Sequence, residues 1–126
     1  MSKYVDGFVL VVPKDKTEEY KKMAQDGADM WMRLGALEYF ECRGDDLKPQ
    51  EMGDQKTRSF VEMAGAGSDE TVWFSFIVFE SKEHRDQVNA KVMEEMNKDQ
   101  DKYKDMSVPF DMRRMAYGGF EAVVEK

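Results

Sequence analysis

Cysteine and histidine each occur once in this sequence, and proline only three times. A single thiol, Cys42, excludes an internal disulfide and suits a reducing compartment. With one imidazole, His84, and no His/Cys/Asp/Glu cluster at ligand spacing, neither a metal site nor a bound cofactor is expected. Gly65-Ala66-Gly67 lacks the third glycine of a dinucleotide loop and precedes a strand rather than a helix. Basic residues are the minority: 19 Lys and Arg stand against 26 Asp and Glu, a net charge of −7. Nonspecific nucleic-acid binding rests on cations neutralising phosphates, so it is not expected of so acidic a chain. No apolar run approaches the roughly 20 residues of a membrane-spanning helix. The opening MSKYVDGF has no apolar signal core. A cytoplasmic protein without a membrane segment is the expectation.

What is present suffices for a core. Hydrophobic residues make up 41% and aromatics 12% of 126 residues. A chain of this size buries about two-thirds of its unfolded surface, so one domain over residues 1–126 is expected. Eleven methionines are many for this length, and methionine fills irregular gaps.

Strand-like Tyr4–Val12 ends at Pro13. Asp15 and Glu18 stand at capping-box spacing, and Tyr20, Met23, Ala24, Gly27, Met30, Trp31 and Leu34 recur at helical spacing, which predicts a helix over 16–34 that Gly35 stops. A second strand is read at 36–43, an irregular insertion at about 44–70 with a short strand at 57–63, and a third strand at 71–80. Ser81 is placed to cap a second helix carrying Val88, Val92 and Met96, which frays at 97–101. A polar loop then leads to Pro109, and the last strand is read at 115–124. Strand, helix, strand, strand, helix, strand is the ferredoxin-like βαββαβ pattern. It predicts an α+β fold with a four-stranded antiparallel sheet and both helices on one face.

The third strand is apolar on both sides. Trp73, Ser75, Ile77 and Phe79 alternate with Val72, Phe74, Phe76 and Val78. In the first strand, Tyr4, Asp6, Phe8, Leu10 and Val12 alternate with Val5, Gly7, Val9 and Val11. A sheet with one wet face should alternate with polar residues. Two helices cover one face, so the other needs a cover worth roughly 1.5–3 kcal/mol per large side chain. A homodimer with facing sheets, a dimeric α/β barrel, supplies it. The alternative is that the insertion folds over its own sheet. Gly118 and Gly119, inside the last strand, then mark a bulge or the close approach of a ligand or a partner chain.

Several separate motifs carry a resemblance. They are Tyr4-Val5-Asp6-Gly7-Phe8, Gly35-Ala36-Leu37-Glu38-Tyr39 with Glu41-Cys42, Asn89-Ala90-Lys91-Val92-Met93, and Pro109-Phe110-Asp111 with Arg114-Met115 and Tyr117-Gly118-Gly119-Phe120-Glu121. Together they resemble the YbaA-like bacterial family of unknown function, over nearly the whole chain and least clearly over 57–70. The resemblance implies the dimeric α/β-barrel fold. It implies no established activity, substrate or catalytic residue. The wider superfamily includes cofactor-free monooxygenases, small isomerases and haem enzymes, and fold alone does not choose among them.

The candidate residues follow from chemistry. Asp6 is a carboxylate on an apolar strand face and must find a partner. Asp6 and Tyr117 are the candidate acid–base pair. Trp31, Tyr39, Trp73 and Phe76 are candidate walls of a pocket between helices and sheet, with Gly118 and Gly119 making room. Asp111 and Arg114, with Arg113, form a charged cluster before the last strand that suits either an anionic ligand group or an internal ion pair. Cys42 reads as a buried structural thiol and His84 as a solvated surface residue. The expected role is binding of a small apolar or aromatic molecule. Cofactor-independent monooxygenase-like or isomerase-like catalysis, or a non-catalytic dimeric interaction module, are the alternatives.

Overall fold

β-Branched and aromatic residues dominate the two longest strands, β1 (Tyr4–Pro13) and β5 (Glu70–Phe79), which pair antiparallel along their full lengths. The computed structural model describes residues 2–104 and 108–126. Between these strands lie α1 (Thr17–Arg33), β2 (Glu38–Arg43), a two-stranded hairpin of β3 (Glu51–Met52) and β4 (Gln55–Lys56), and α2 (Phe60–Ala64). After β5 come α3 (Lys82–Lys98), α4 (Gln100–Lys104) and β6 (Ala116–Glu121). The main sheet has four antiparallel strands in the order β2-β5-β1-β6.

Helix ends are set locally. Ser81 accepts a hydrogen bond from the His84 backbone N–H at 3.1 Å and caps α3. Asp15 does not cap α1. It sits in a 3-10 turn, Lys14–Lys16, where the Thr17 hydroxyl donates to the Lys14 carbonyl at 2.9 Å. The strand expected at 57–63 is instead the α2 turn, where the Ser59 hydroxyl accepts from the Glu62 N–H at 3.0 Å and Gly65 closes the helix at φ 68°. Of residues 97–101, read as a frayed end, 97–98 still belong to α3, and after a break at Asp99 the chain turns helical again in α4 from Gln100. The loop expected before Pro109 falls partly on residues 105–107, outside the described residues.

Helices α1 and α3 pack on one face of the sheet. Tyr20 and Ala24 of α1 join Leu10, Val12 and Trp73, while Val88 and Val92 of α3 join Ile77, Phe79 and Ala36. On the other face, Phe60 of α2 meets Phe74 edge-on at 6.4 Å between ring centroids. The insertion therefore covers one end of that face, where Val11 and Val72 are buried. The remainder is a concave apolar surface of about 650 Å³, formed by Val5, Gly7, Val9, Phe76, Val78 and Phe120. Phe40 and Phe76 stack beside it at 5.0 Å.

The two glycines of β6 point to opposite faces. Gly118 pairs with Gly7, and a Cβ at either would touch the Phe120 ring, which lies across them on the open face. A Cβ at Gly119 would overlap the Tyr4 ring on the helix face. The glycines make room for two aromatic rings of the chain itself, one on each side of the strand.

Candidate functional site

On β2, the helix-facing residues are Tyr39, Glu41 and Arg43, opposite Ile77, Ser75 and Trp73 of β5. Tyr20 comes down from α1. Its hydroxyl donates to Glu41 Oε2 at 2.8 Å, while the Tyr39 hydroxyl donates to Oε1 at 2.9 Å. Burial pushes the Glu41 carboxyl above the usual range of 4.5, against hydrogen bonds from Tyr20, Tyr39 and Ser75 that pull it back. Burial, and then the neighbouring Glu41 charge, raise both phenols well above their ordinary value. Gly27 of α1 makes this possible, because a Cβ there would stand 3.3 Å from the Tyr39 hydroxyl.

Glu41 separates two spaces. Inward lies a cavity of about 240 Å³ lined by Phe8, Tyr20, Trp31, Tyr39, Phe110 and Met115. Outward lies a groove of about 390 Å³, with Glu18, Lys21 and Arg43 along it. Trp73 lines the groove, and its Nε1 is the one buried side-chain polar atom among the described residues without a hydrogen-bond partner.

A second cluster lies nearer the opposite edge of the sheet. Asp6 is only 1% exposed. Arg85 of α3 donates to its Oδ1 at 2.8 Å, and Asn89 Nδ2 donates to its Oδ2 at 3.3 Å. Arg85 also donates to the Tyr117 hydroxyl at 3.0 Å and lies over the Tyr4 ring at 4.8 Å. Trp31 Nε1 donates to Asn89 Oδ1 at 3.0 Å and so links α1 into the chain. Burial and the Asp6 charge hold the Tyr117 hydroxyl above the ordinary phenol value. A cavity of about 350 Å³ touches Asp6, Asn89 and Tyr117 and shares Phe8 and Trp31 with the first. Among the described residues, no three His, Cys, Asp or Glu side chains converge as a metal ligand set, and no helix is long and apolar enough to cross a membrane.

Comparison with known proteins adds a family. The family described as "Protein of unknown function (DUF1428)" matches residues 3–112. The chain belongs to this family. It is 40% identical over 124 residues to "Uncharacterized protein YbaA" of Escherichia coli strain K12, covering 98% of this chain and 99% of that relative. The YbaA of Shigella flexneri matches to the same extent.

In this DUF1428 member the residues singled out from sequence separate into groups. Asp6 and Tyr117 come together through Arg85. Trp31 and Tyr39 share the inner cavity, and Trp73 stands at the outer groove. Phe76 and Gly118 lie on the open face of the sheet, so strand alternation removes them from the space under the helices. Gly119 faces the helices but is filled by Tyr4. Asp111 holds Arg113 at 3.1 Å, and Arg114 holds Glu70 at 2.7 and 2.9 Å and the Gly65 carbonyl at 2.7 Å, so both are engaged within the chain. Cys42 is exposed rather than buried, because it alternates with Glu41 onto the open face beside Phe74. His84 is partly buried, its Nδ1 accepting from the Glu80 N–H at 3.0 Å. Glu41, Tyr20, Arg85 and Asn89 were not singled out from sequence. Arg85 and Asn89 stand four apart and therefore on one helix face, which is the signal that would have found them.

Proposed function

We propose that the protein binds one small apolar or aromatic molecule between helices and sheet, in a homodimer of ferredoxin-like halves forming a dimeric α/β barrel. The observation that carries the ligand reading is the cavity of about 240 Å³ walled by five aromatic rings, Phe8, Tyr20, Trp31, Tyr39 and Phe110. The pocket is partly open to solvent, so a ligand can reach it. A void of about 150 Å³ already accepts benzene, so this one has room for a ring with a small substituent.

The strand order β2-β5-β1-β6, with α1 and α3 on one face, supports the ferredoxin-like reading. The open apolar face supports a second copy as its cover. It runs over β5, β1 and β6, where the same strands of a two-fold partner would meet it. A cofactor-independent catalytic version, with Asp6 and Tyr117 moving a proton, draws on their shared position beside the second cavity.

Native mass spectrometry of protein purified from cells tests the proposal. The expected species is near twice the 14.7 kDa chain mass, with extra mass that leaves on activation. A bare chain, together with no change in tryptophan emission on adding small aromatic probes, would sink the ligand reading.

A further inference from the structure

We infer that the molecule bound in the inner cavity is an organic cation, an aromatic or compact apolar ammonium whose charge sits against Glu41. This rests on the ligand reading above and names the ligand class for that cavity.

Charge within the cavity is one-sided. Glu41 is the carboxylate in its wall, and the side chains around it are aromatic, aliphatic, thioether or hydroxyl. The partners of the carboxylate are neutral: the Tyr20 and Tyr39 hydroxyls, with Ser75 across the ladder. Two carboxylate oxygens offer about four acceptor positions, so three hydroxyls leave one for a ligand donor. Glu41 is half-buried, its direct partners are hydroxyls, and burial disfavours its charged form unless a cation comes near. Lys21 and Arg43, with Glu18, line the outer groove that Glu41 also borders, and neither is hydrogen-bonded to its carboxylate. An ammonium in the cavity supplies the missing charge. The faces of Tyr20, Trp31, Tyr39 and Phe110 add the attraction that aromatic rings have for cations. A carboxylate ligand would meet like charge, and a hydrocarbon would leave Glu41 uncompensated.

Three probes of one shape separate the cases: 2-phenylethylammonium, 2-phenylethanol and phenylacetate. They are titrated against the full chain by tryptophan emission near neutral pH. The ammonium is expected to bind at least about tenfold tighter than the alcohol, as charge-assisted hydrogen bonds predict, with phenylacetate weakest. In Glu41→Gln the preference for the ammonium over the alcohol should fall to about twofold or less. In the unmodified protein, the preference should grow as pH rises through the Glu41 pKa, which needs no variant to fold. An alcohol that binds as tightly as the ammonium overturns the cation inference and leaves the pocket standing. So does a preference that survives Glu41→Gln. If none of the three probes binds folded protein, the pocket itself falls.

Discussion

Glu41 is easier to keep protonated in the folded chain than in water, and this has a sign. Its folded carboxyl lies above the ordinary 4.5, so the stability it contributes is complete below that value and is lost as pH rises through the folded one. Glu41→Gln should remove this loss. Urea midpoints from about pH 4 to 8 check it: the wild-type curve should fall relative to the variant, and parallel curves would refute the assignment. Asp6 is a buried carboxylate with a cation in direct contact. Asp6→Ala removes one of the two carboxylates on the mostly buried Arg85 guanidinium, which keeps Asp86 at 2.8 Å, and should cost roughly 1–3 kcal/mol in urea unfolding. Tyr117→Phe, which removes one hydroxyl from an exposed side chain, should cost about 1 kcal/mol or less. Asp6 was legible in the sequence because a carboxylate among Phe8, Leu10 and Val12 stands out. Glu41 was not. In Glu38-Tyr39-Phe40-Glu41-Cys42-Arg43 an acidic residue looks ordinary, and what buries it is Tyr20, which only the folded chain brings near.

The elements with strong periodicity were readable to within a few residues. β1, β5, α1 and α3 each bury a row of side chains whose spacing is visible in one dimension. The segment 57–63 was misread for a physical reason. The segment has no clear alternation, whereas Ser59 and Glu62 stand at capping spacing, and the cap prevails. β6 carries its own test. Gly119→Ala places a methyl in the Tyr4 ring and should destabilise by roughly 1–3 kcal/mol. Gly118→Ala meets only the movable Phe120 ring and should cost less by the same unfolding assay. Between elements, Arg114 ties the turn before β6 to the start of β5 through Glu70, whose carboxyl it lowers to about 2. That stability is present above 4.5 and is lost as pH falls toward 2. Arg114→Gln should lower the thermal midpoint at neutral pH and flatten its decline in acid; an unchanged decline would count against the pair.

At the scale of the molecule, the doubly apolar strands gave warning that helices alone would not finish the structure. The open face bears them out: Phe74 is 45% exposed, Phe40 47% and Phe120 61%. How far the insertion reaches across the sheet could not be read from sequence, because α2 covers Val11 and Val72 yet stops at Phe74. The proposed dimer uses what α2 leaves bare. Phe76→Asp puts a charge at the centre of that surface and should convert the dimer to a folded monomer, read by light scattering with circular dichroism as control. An unchanged mass would move the dimer contact elsewhere or remove it.

The position of β1 has a kinetic consequence. It is an inner strand, with β5 on one side and β6 on the other, so the first residues of the sheet wait for residues 116–121 to fill their second edge. Pairing between distant parts of a chain closes slowly, because loop entropy is lost before the contacts reward it. Refolding should therefore be limited by capture of β6 rather than by formation of either long helix. Until that capture, the Tyr4–Val9 backbone is a bare edge that any other extended chain can join.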